Sequence, residues 1–216
     1  MPPLTLVMAS RNPGKLRELR EILRDLGLKL LSLNDFPELA EIPETGATFA
    51  ENAAAKALAV ARATGLPALA DDSGLEVAAL SGRPGVYSAR YAGDRTAPAA
   101  PSDEDNWRKL LEELNGVPRE KRAARFVCEI ALALPDGRLY RARGECAGYI
   151  SPAPKGNMGF GYDPVFWVPA FQRTMAELAP EVKNRISHRA RALEALKELI
   201  RSRRKELESE QLGVSS

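Results

Sequence analysis

Two adjacent aspartates, Asp71 and Asp72, follow a short apolar run, Ala68 to Ala70, that is typical of a buried strand. Carboxylates so placed repel each other and lose hydration unless a positive charge lies near them. Mg²⁺ is an obvious partner, because this hard ion prefers carboxylate oxygens and substrate phosphates. Neighbouring side chains of an extended chain point to opposite faces, so we expect one aspartate to face a ligand and the other to support it. An Asx-turn that closes the strand is the competing interpretation.

A second candidate is the turn Ser10-Arg11-Asn12-Pro13-Gly14-Lys15, between a buried strand and the first helix. Asn12 is a good N-cap, and Pro13 suits the first helical position. The N–H groups at a helix N-terminus bind phosphate, whereas a lysine normally avoids that end of the helix dipole. Lys15 therefore indicates a bound anion. An ordinary capped helix with an exposed lysine also fits, and the Walker A pattern is absent.

Two loops hold further candidates. Glu44 lies in a loop bounded by proline and glycine and could complete a metal site, although solvated loop acids are common. The loop from Lys155 to Asp163 places glycines around Phe160 and Tyr162. Glycine lets a backbone approach a ligand, and aromatic rings can stack on a base. A plain loop with two core aromatics is the alternative.

The last candidate lies near the carboxyl end. Lys183, Ser187 and His188 are spaced so that they would share one broad face of a helix, with Arg189 next along the chain. A purely structural histidine is the alternative. Each signal is weak alone. Together they combine a phosphate-type turn, paired carboxylates, aromatic Gly-rich loops and basic residues, which are the parts of a nucleotide-phosphate hydrolase.

Helices that alternate with strands must position these residues, which predicts an α/β fold with a mixed sheet. A capping box, Thr48-x-x-Glu51, opens an Ala-rich helix that reaches Thr64. The predicted elements are a strand over 4–10, helices over 12–26, 48–64 and 102–115, a brief strand over 68–70, a hairpin of strands 125–134 and 138–150, a helix opened by Thr174, and one long helix from Glu181 to past Arg201.

The composition excludes several classes of protein. The chain has 216 residues, 44% hydrophobic and 28% charged, with a net charge of +2, which argues against a disordered chain and a dedicated duplex-DNA binder. No apolar run approaches the roughly 20 residues of a membrane helix, and no signal-peptide pattern is seen, so we expect a cytoplasmic protein. Cys128, Cys146 and a single histidine do not make a zinc site, and we expect both thiols to be buried.

Six motifs in a fixed order resemble the inosine/xanthosine triphosphate pyrophosphatase family, which removes deaminated purine nucleotides. The resemblance covers about residues 4 to 200. The motifs are Ser10-x-Asn12-x-x-Lys15, Glu44-Thr45-Gly46-x-Thr48-Phe49-x-Glu51-Asn52-Ala53, Ala70-Asp71-Asp72-Ser73-Gly74-Leu75, Pro84-Gly85-Val86-Tyr87-Ser88-Ala89-Arg90-Tyr91, Gly159-Phe160-Gly161-Tyr162-Asp163-Pro164 and Ser187-His188-Arg189.

The resemblance implies hydrolysis of ITP, dITP or XTP to the monophosphate and pyrophosphate, with Mg²⁺ as cofactor. It also implies an elongated mixed sheet flanked by helices, two lobes with the active-site cleft between them, and a homodimer. Residues 1–200 would form a single two-lobed domain. Residues 201–216 extend past the usual end of the family and would form a helix extension and a flexible tail.

The resemblance also implies roles for individual residues. Asp72 matches the general base and a metal ligand, Glu44 matches the other metal-linked acid, and Asp71 adjoins them. The implied triphosphate contacts are Ser10, Asn12, Lys15 and Lys56. The other implied substrate-binding residues are Arg11, Pro13, Gly14, Ser73, Arg90, Phe160, Gly161, Tyr162, Asp163, Lys183, His188 and Arg189.

Two alternatives stay open at this point. One is a related nucleotide pyrophosphatase with a different base preference. The other is a nucleic-acid-binding module that uses the basic run from Arg201 to Lys205. Three glutamates, Glu206, Glu208 and Glu210, follow that run at once and indicate a solvated helix with paired charges. We therefore expect a small-molecule nucleotide as the partner, with no nucleic acid and no membrane.

Overall fold

The computed structural model describes residues 3–40, 42–93 and 101–211. The helices in these ranges are α1 (Pro13–Ile22), α2 (Phe49–Thr64), α3 (Asp103–Glu113), α4 (Pro180–Ile186) and α5 (His188–Gln211). The strands in the same ranges are β1 (Thr5–Met8), β2 (Lys29–Ser32), β3 (Ala68–Val77), β4 (Ala123–Ala133), β5 (Leu139–Ile150), β6 (Phe166–Val168) and β7 (Arg173–Thr174).

The strands of the described residues form one sheet in the order β2-β1-β3-β4-β5-β6-β7. β1 pairs in parallel with β2 and β3, whereas β6 pairs antiparallel with β5 and β7. A tight turn joins β4 to β5, because the Gly137 N–H donates to the Leu134 carbonyl at 3.0 Å and the Leu134 N–H donates to the Arg138 carbonyl at 2.9 Å. The predicted α/β class with a mixed sheet is confirmed.

The chain divides into two compact units: unit 1 comprises residues 1–72, 128–144 and 190–216, and unit 2 comprises residues 73–127 and 145–189. Unit 1 is layered around β1. Leu6 and Met8 belong to a core cluster that includes apolar residues of α1 and α5, whereas Val7 belongs to a second cluster with the alanines of α2. Because neighbouring strand residues face opposite sides, a strand covered on both faces reads as a continuous apolar run.

Unit 2 has its own core. Leu110 of α3 and Leu114, the residue that follows α3, belong to a buried cluster with Phe126 and Phe166. The ring centroids of the two phenylalanines are 4.4 Å apart. Cys146 lies in this cluster, and Cys128 lies in the first cluster of unit 1. Both thiols are buried, as predicted.

The prediction of a brief strand before the aspartates is wrong. β3 is ten residues long and runs through Asp71 and Asp72 as far as Val77. Charged residues in a row predict a strand end, because burying them is unfavourable. The lysines that compensate these charges come from α1 and α2, which are distant in sequence, so the local pattern could not show them.

The prediction of one long helix from Glu181 is also wrong. Ser187 has an extended backbone (φ −65°, ψ 156°) and separates α4 from α5. The residues after Thr174 form a single 3₁₀ turn, Met175–Glu177, in place of the predicted helix. No proline or glycine marks position 187. Lys183, Ser187 and His188 therefore do not share one helical face as predicted, because the helix breaks at Ser187.

The capping signals are confirmed. The Thr48 hydroxyl accepts the N–H of Glu51 at 3.1 Å, and the Ser102 hydroxyl accepts the N–H of Asp105 at the same distance. Both helices begin at the residue after the cap. Within the part of the chain that the structure describes, no helix is long and apolar enough to cross a membrane.

Candidate active site

The side chain of Asn12 caps the first turn of α1. The Asn12 Oδ1 accepts the N–H groups of Gly14 at 2.9 Å and Lys15 at 3.1 Å, and the Asn12 N–H donates to the Ser10 hydroxyl at 3.1 Å. The Lys15 ammonium lies 3.1 Å from the Asp71 carboxylate. The positive charge of Lys15, in the first turn of α1, is thus balanced by the carboxylate of Asp71 in β3. A further anion bound at this end of α1 would meet the Lys15 ammonium.

Two predicted substrate residues are arginines with other partners. The guanidinium of Arg11 donates to the backbone carbonyls of Leu33 and Leu39, both at 2.8 Å, and so fixes the chain after β2. Arg90 is exposed in unit 2, with its guanidinium carbon 5.5 Å from the centre of the Tyr87 ring. Arg11 therefore has a structural task, whereas Arg90 presents its charge at the surface.

Asp72 is an acid of unit 1 whose pKa is shifted far from its ordinary value. Its side chain is buried, with 6% of the residue exposed, and this burial raises its pKa to about 6. The charge of Lys56 opposes the rise, the charge of Glu44 adds to it, and a hydrogen bond from Asn52 opposes it. An aspartate with such a pKa accepts a proton more readily than usual and is still largely ionised at neutral pH.

Lys56 holds acids from two distant stretches of the chain. Its ammonium lies 2.6 Å from Glu44 Oε1 and 3.9 Å from Asp72 Oδ1, and it donates to the Asp71 carbonyl at 2.9 Å. Burial alone would lower the pKa of Lys56, but the negative charges of the three acids outweigh burial and raise it. The ammonium therefore stays charged and draws the loop acid towards the strand acids.

Asn52 contacts the predicted base Asp72 but was not among the predicted site residues. Its side chain is buried, its amide nitrogen donates to Asp72 Oδ2 at 2.9 Å, and its amide oxygen accepts the Gly46 N–H at 2.7 Å. A usable signal was present, because Asn52 precedes Lys56 by four residues and shares its helical face. A polar pair on the inner face of an Ala-rich helix indicates a polar partner in the core.

The acids of unit 1 fit a hard divalent cation. Among the described residues, no three histidine, cysteine, aspartate or glutamate side chains are grouped as a ready-made metal cluster. Glu44 and Asp72 nevertheless both lie within 4 Å of the same ammonium nitrogen. Mg²⁺ is typically held by one or two carboxylates, with waters and substrate phosphates completing its shell. Two converging carboxylates are therefore a suitable donor set for this ion.

Asp163 organises the Gly-rich loop of unit 2. Its buried carboxylate lies 2.7 Å from the Lys183 ammonium and accepts the Phe160 N–H at 3.0 Å. Gly159 has φ +86°, and a Cβ there would lie 2.0 Å from Asp163 Oδ2. The loop can therefore close over the carboxylate only with glycine at this position.

Phe160 and two cations form a cluster in unit 2. The ring is 36% exposed, and its centroid lies 4.4 Å from the Lys183 ammonium and 5.5 Å from the Arg189 guanidinium carbon. Arg189 is buried and donates to the Ser73 hydroxyl at 3.0 Å. The aromatic ring thus has a partly open surface and two positive groups beside it, an arrangement that attracts electron-rich rings and carbonyl oxygens.

Tyr162 and Gly161 have partners within unit 2. The Tyr162 hydroxyl donates to the Ser88 carbonyl at 2.8 Å, and burial raises the pKa of this hydroxyl. The Gly161 N–H donates to the Asp103 carboxylate at 2.7 Å. Tyr162 is therefore a core residue that anchors the loop, while Phe160 is the more exposed of the two aromatics.

His188 is the first residue of α5, and its buried ring stacks on Phe126 with centroids 4.8 Å apart. The structure brings Lys183 and Arg189 to Phe160 although the helix breaks between them. Within unit 1, the predicted acids and lysines converge in the same way. The cluster of unit 1 contains Lys15, Glu44, Lys56, Asp71 and Asp72, and that of unit 2 contains Phe160, Lys183 and Arg189.

A protein-family model identifies the family of this chain. The model of the Ham1 family matches residues 6–199. The chain belongs to the Ham1 family. A relative from Geobacter sulfurreducens, named dITP/XTP pyrophosphatase, is 56% identical over 193 residues, which are 89% of this chain and 94% of that protein. A dITP/XTP pyrophosphatase from Geobacillus kaustophilus is 52% identical over 193 residues, which are 89% of this chain and 92% of that protein.

Solved structures agree with this membership. The structure of a HAM1 protein from Coxiella burnetii matches with a TM-score of 0.84 and 46% identity, covering 92% of this chain and 99% of that one. The family predicted from the motif order and the mixed α/β fold are both confirmed. The Ham1 match ends at residue 199, whereas α5 continues to Gln211.

Proposed function

We propose that this Ham1 protein hydrolyses noncanonical purine nucleoside triphosphates, namely ITP, dITP and XTP, to the monophosphate and pyrophosphate. This reaction would prevent their incorporation into nucleic acid. The names of the Ham1 relatives support the reaction. The structural observation that carries the proposal is the buried Asp72 carboxylate, with its pKa of about 6, beside Lys56 and Glu44.

Asp72 would act as the general base. A water molecule attacks the α-phosphorus, and its proton passes to the Asp72 carboxylate as the new P–O bond forms. The bond from the α-phosphorus to the bridging oxygen breaks, and pyrophosphate leaves with the bonding electrons. Lys15 and Lys56 would offset the charge of the triphosphate. A positioned base typically contributes about 10²–10⁴-fold to such a rate.

We propose Mg²⁺ as the cofactor, with Glu44 and Asp72 as its protein ligands and Asp71 as the adjoining acid. When bound, the ion would neutralise charge on the phosphate oxygens. Lys56 prepares this site in the protein itself, because its ammonium lies between the loop acid and the strand acid.

The cluster of unit 2 would bind the nucleoside. Lys183 and Arg189 carry only hydrogen-bond donors, so they match the 6-oxo group of hypoxanthine or xanthine and leave the 6-amino group of adenine without an acceptor. The exposed face of Phe160 would stack on the purine. The proposed substrate-binding residues remain Ser10, Arg11, Asn12, Pro13, Gly14, Lys15, Lys56, Ser73, Arg90, Phe160, Gly161, Tyr162, Asp163, Lys183, His188 and Arg189.

Assembly, location and domain limits are further parts of the proposal. We propose a homodimer in the cytoplasm, with the catalytic domain in residues 1–200 and an extension in residues 201–216. The end of the predicted flexible tail, residues 212–216, lies outside the described residues. A nucleic-acid-binding role is disfavoured, because Arg201 pairs with Asp25 at 2.9 Å and Arg204 pairs with Glu208 at 2.8 Å.

A substrate panel tests the reaction. We expect ITP, dITP and XTP to be hydrolysed with MgCl₂ and not with EDTA, to yield pyrophosphate in place of orthophosphate, and to be strongly preferred over ATP. Turnover of modified pyrimidine triphosphates in preference to ITP would indicate the related pyrophosphatase of different base preference. Orthophosphate as the only inorganic product would contradict attack at the α-phosphorus.

Asp72→Asn tests the base. We expect kcat for dITP to fall by at least about 10²-fold, as typical for removal of a general base, while the far-ultraviolet circular dichroism spectrum is retained. Asp35→Asn is the matched control, since Asp35 is an acid of the same unit in the turn after β2. Near-normal turnover by the Asp72 variant would contradict the assignment.

A further inference from the structure

We infer that Asn52 is a positioning residue of the hydrolytic site, whose side-chain amide couples the loop that carries Glu44 to the carboxylate of Asp72. The inference rests on the proposed roles of these two acids. Without this role, Asn52 would be only one residue of the motif that runs from Glu44 to Ala53.

The two ends of the amide have different partners. The Asn52 amide oxygen accepts the Gly46 N–H at 2.7 Å, and the amide nitrogen donates to Asp72 Oδ2 at 2.9 Å. Only the oxygen can accept the backbone N–H, so the nitrogen must face the carboxylate. The residue is 2% exposed, and the side chain therefore has one orientation in which both groups are satisfied.

The loop end of this link is closely packed. A Cβ at Gly46 would lie 2.7 Å from the Asn52 amide oxygen. The next two N–H groups, those of Ala47 and Thr48, donate to the Glu51 carboxylate at 2.7 and 3.3 Å. The side chains of Glu51 and Asn52, near the start of α2, thus bind three successive N–H groups, those of residues 46 to 48. The first of these groups lies two residues after Glu44. Asn52 extends this fixation to β3.

Lys56 and Asn52 perform different parts of the positioning. The Lys56 ammonium attracts both acids, but an ammonium is a point charge with rotatable donors and imposes little direction. The Asn52 amide is planar, and its directional hydrogen bond holds one oxygen of the Asp72 carboxylate, Oδ2, at 2.9 Å. The other oxygen, Oδ1, lies 3.9 Å from the Lys56 ammonium, which also lies 2.6 Å from Glu44 Oε1. Asn52 therefore orients the carboxylate that would accept the proton.

The chain contains a matched asparagine for comparison. Asn106 is the fourth residue of α3, as Asn52 is of α2, and each follows a capping box. Asn106 is equally buried, but its amide joins two backbone groups: it accepts the Ala92 N–H at 2.8 Å and donates to the Ala89 carbonyl at 3.2 Å. The same local pattern thus serves a purely structural link in one helix and contacts an acid in the other.

Steady-state hydrolysis of dITP with MgCl₂, combined with urea unfolding, separates the two roles. For Asn52→Ala we expect kcat to fall by about tenfold to hundredfold, the range for a misplaced catalytic group. Its KM should stay within about threefold of the wild-type value, because the substrate contacts remain. Asn106→Ala should unfold at a similarly reduced urea concentration but keep kcat within about threefold.

Nuclear magnetic resonance gives a readout that does not depend on turnover. We expect the side-chain amide protons of Asn52 to exchange slowly with solvent and to shift in both Gly46→Ala and Asp72→Asn. Those of the exposed Asn115 should exchange rapidly and shift in neither variant. Rapid exchange at Asn52, or shifts in only one of the two variants, would overturn the coupling.

The outcomes also distinguish the inference from the proposed function. Normal turnover by Asn52→Ala together with an inactive Asp72→Asn would overturn the inference alone. An equal loss of kcat in Asn106→Ala would also overturn it, since general destabilisation would then explain the result. Normal turnover by Asp72→Asn would overturn the proposed base, and the positioning role with it.

Discussion

At the scale of single residues, Phe160 differs from an ordinary loop aromatic by its neighbours. Lys183 and Arg189 lie against the ring, and Asp163 holds Lys183 in place at 2.7 Å. The ring therefore orders two positive side chains as well as offering a stacking surface. Its loss should affect nucleotide binding twice, through the missing ring and through the released cations.

We expect Phe160→Ala to raise KM for dITP by about fivefold to hundredfold, the range for one lost base-stacking contact, with a smaller change in kcat. Phe171→Ala is the matched control, because Phe171 is similarly exposed and lies outside this cluster. Steady-state kinetics of both variants would check the prediction. Equal KM values for Phe160→Ala and the wild type would place Phe160 in a purely structural role.

At the scale of elements, the loop between β5 and β6 depends on a glycine. Gly159 combines φ +86° with a close approach to the Asp163 carboxylate. Gly65, which ends α2, has φ +67°, and a Cβ there would meet nothing within 4 Å. A side chain at Gly65 would therefore cost only the strain of the left-handed backbone. A side chain at Gly159 would also displace the carboxylate that anchors Lys183.

We expect Gly65→Ala to lower the free energy of unfolding by about 1 kcal/mol, from the left-handed backbone alone. Gly159→Ala should lower it by more and should also raise KM for dITP, because the loop cannot close over Asp163. Urea unfolding and steady-state kinetics would check both variants. Equal effects of the two substitutions on KM would contradict the role of this loop.

The end of α5 is another element with a specific structural task. Leu207 is fully buried in the first core cluster of unit 1, and the Tyr140 hydroxyl donates to the Glu206 carboxylate at 2.6 Å. The Arg204 guanidinium donates to the Leu26 carbonyl at 2.9 Å. The helical turns after residue 199 lie beyond the Ham1 match. They nevertheless pack on the core of unit 1, in addition to forming ion pairs at the surface.

We therefore expect Leu207→Ala to lower the free energy of unfolding by about 2–4 kcal/mol, as for other buried leucines, without changing kcat for dITP. Ser202→Ala, at an exposed position of the same helix, should change stability by less than about 0.5 kcal/mol. Urea unfolding and steady-state kinetics would check both. A negligible change in Leu207→Ala would show that this end of α5 is not part of the folded core.

At the scale of the whole molecule, the buried carboxylate of Asp72 lowers the free energy of unfolding at neutral pH. Burial raises the pKa of Asp72 to about 6 from its ordinary value of 3.8, so the native state binds a proton more tightly than the unfolded chain. From this group alone, the free energy of unfolding falls as pH rises from about 4 to about 6, and it is constant outside that window. A neutral side chain at this position would remove the dependence.

For metal-free protein in EDTA, we expect Asp72→Asn to match the wild type in stability near pH 4 and to exceed it above pH 6. The limit of the difference is about 3 kcal/mol, the value of roughly two pKa units. Asp35→Asn should show the opposite sign, because hydrogen bonds from Ser32 lower the pKa of Asp35 and its contribution is lost as pH falls. Urea unfolding across this pH range would check both. A constant difference for Asp72→Asn would contradict its raised pKa.

Local sequence determined much of the architecture. The apolar run that contains β1, the capping boxes at Thr48 and Ser102 and the turn before β5 each depend on residues close together in the chain. Propensity, capping and side-chain period act over a few residues, so they can be read without knowing the fold. The six ordered motifs added the family and the candidate acids, because their combination is specific even though each is weak.

Tertiary structure decided the rest. The strand continues through Asp71 and Asp72 because Lys15 and Lys56 meet their charges from other elements. The break at Ser187 and the partners of Asn52 likewise appear only in the folded chain, since no local signal marks the first and the second lie on a loop and a strand. The stability of a buried charge or amide depends on which distant group reaches it, and that is set by packing.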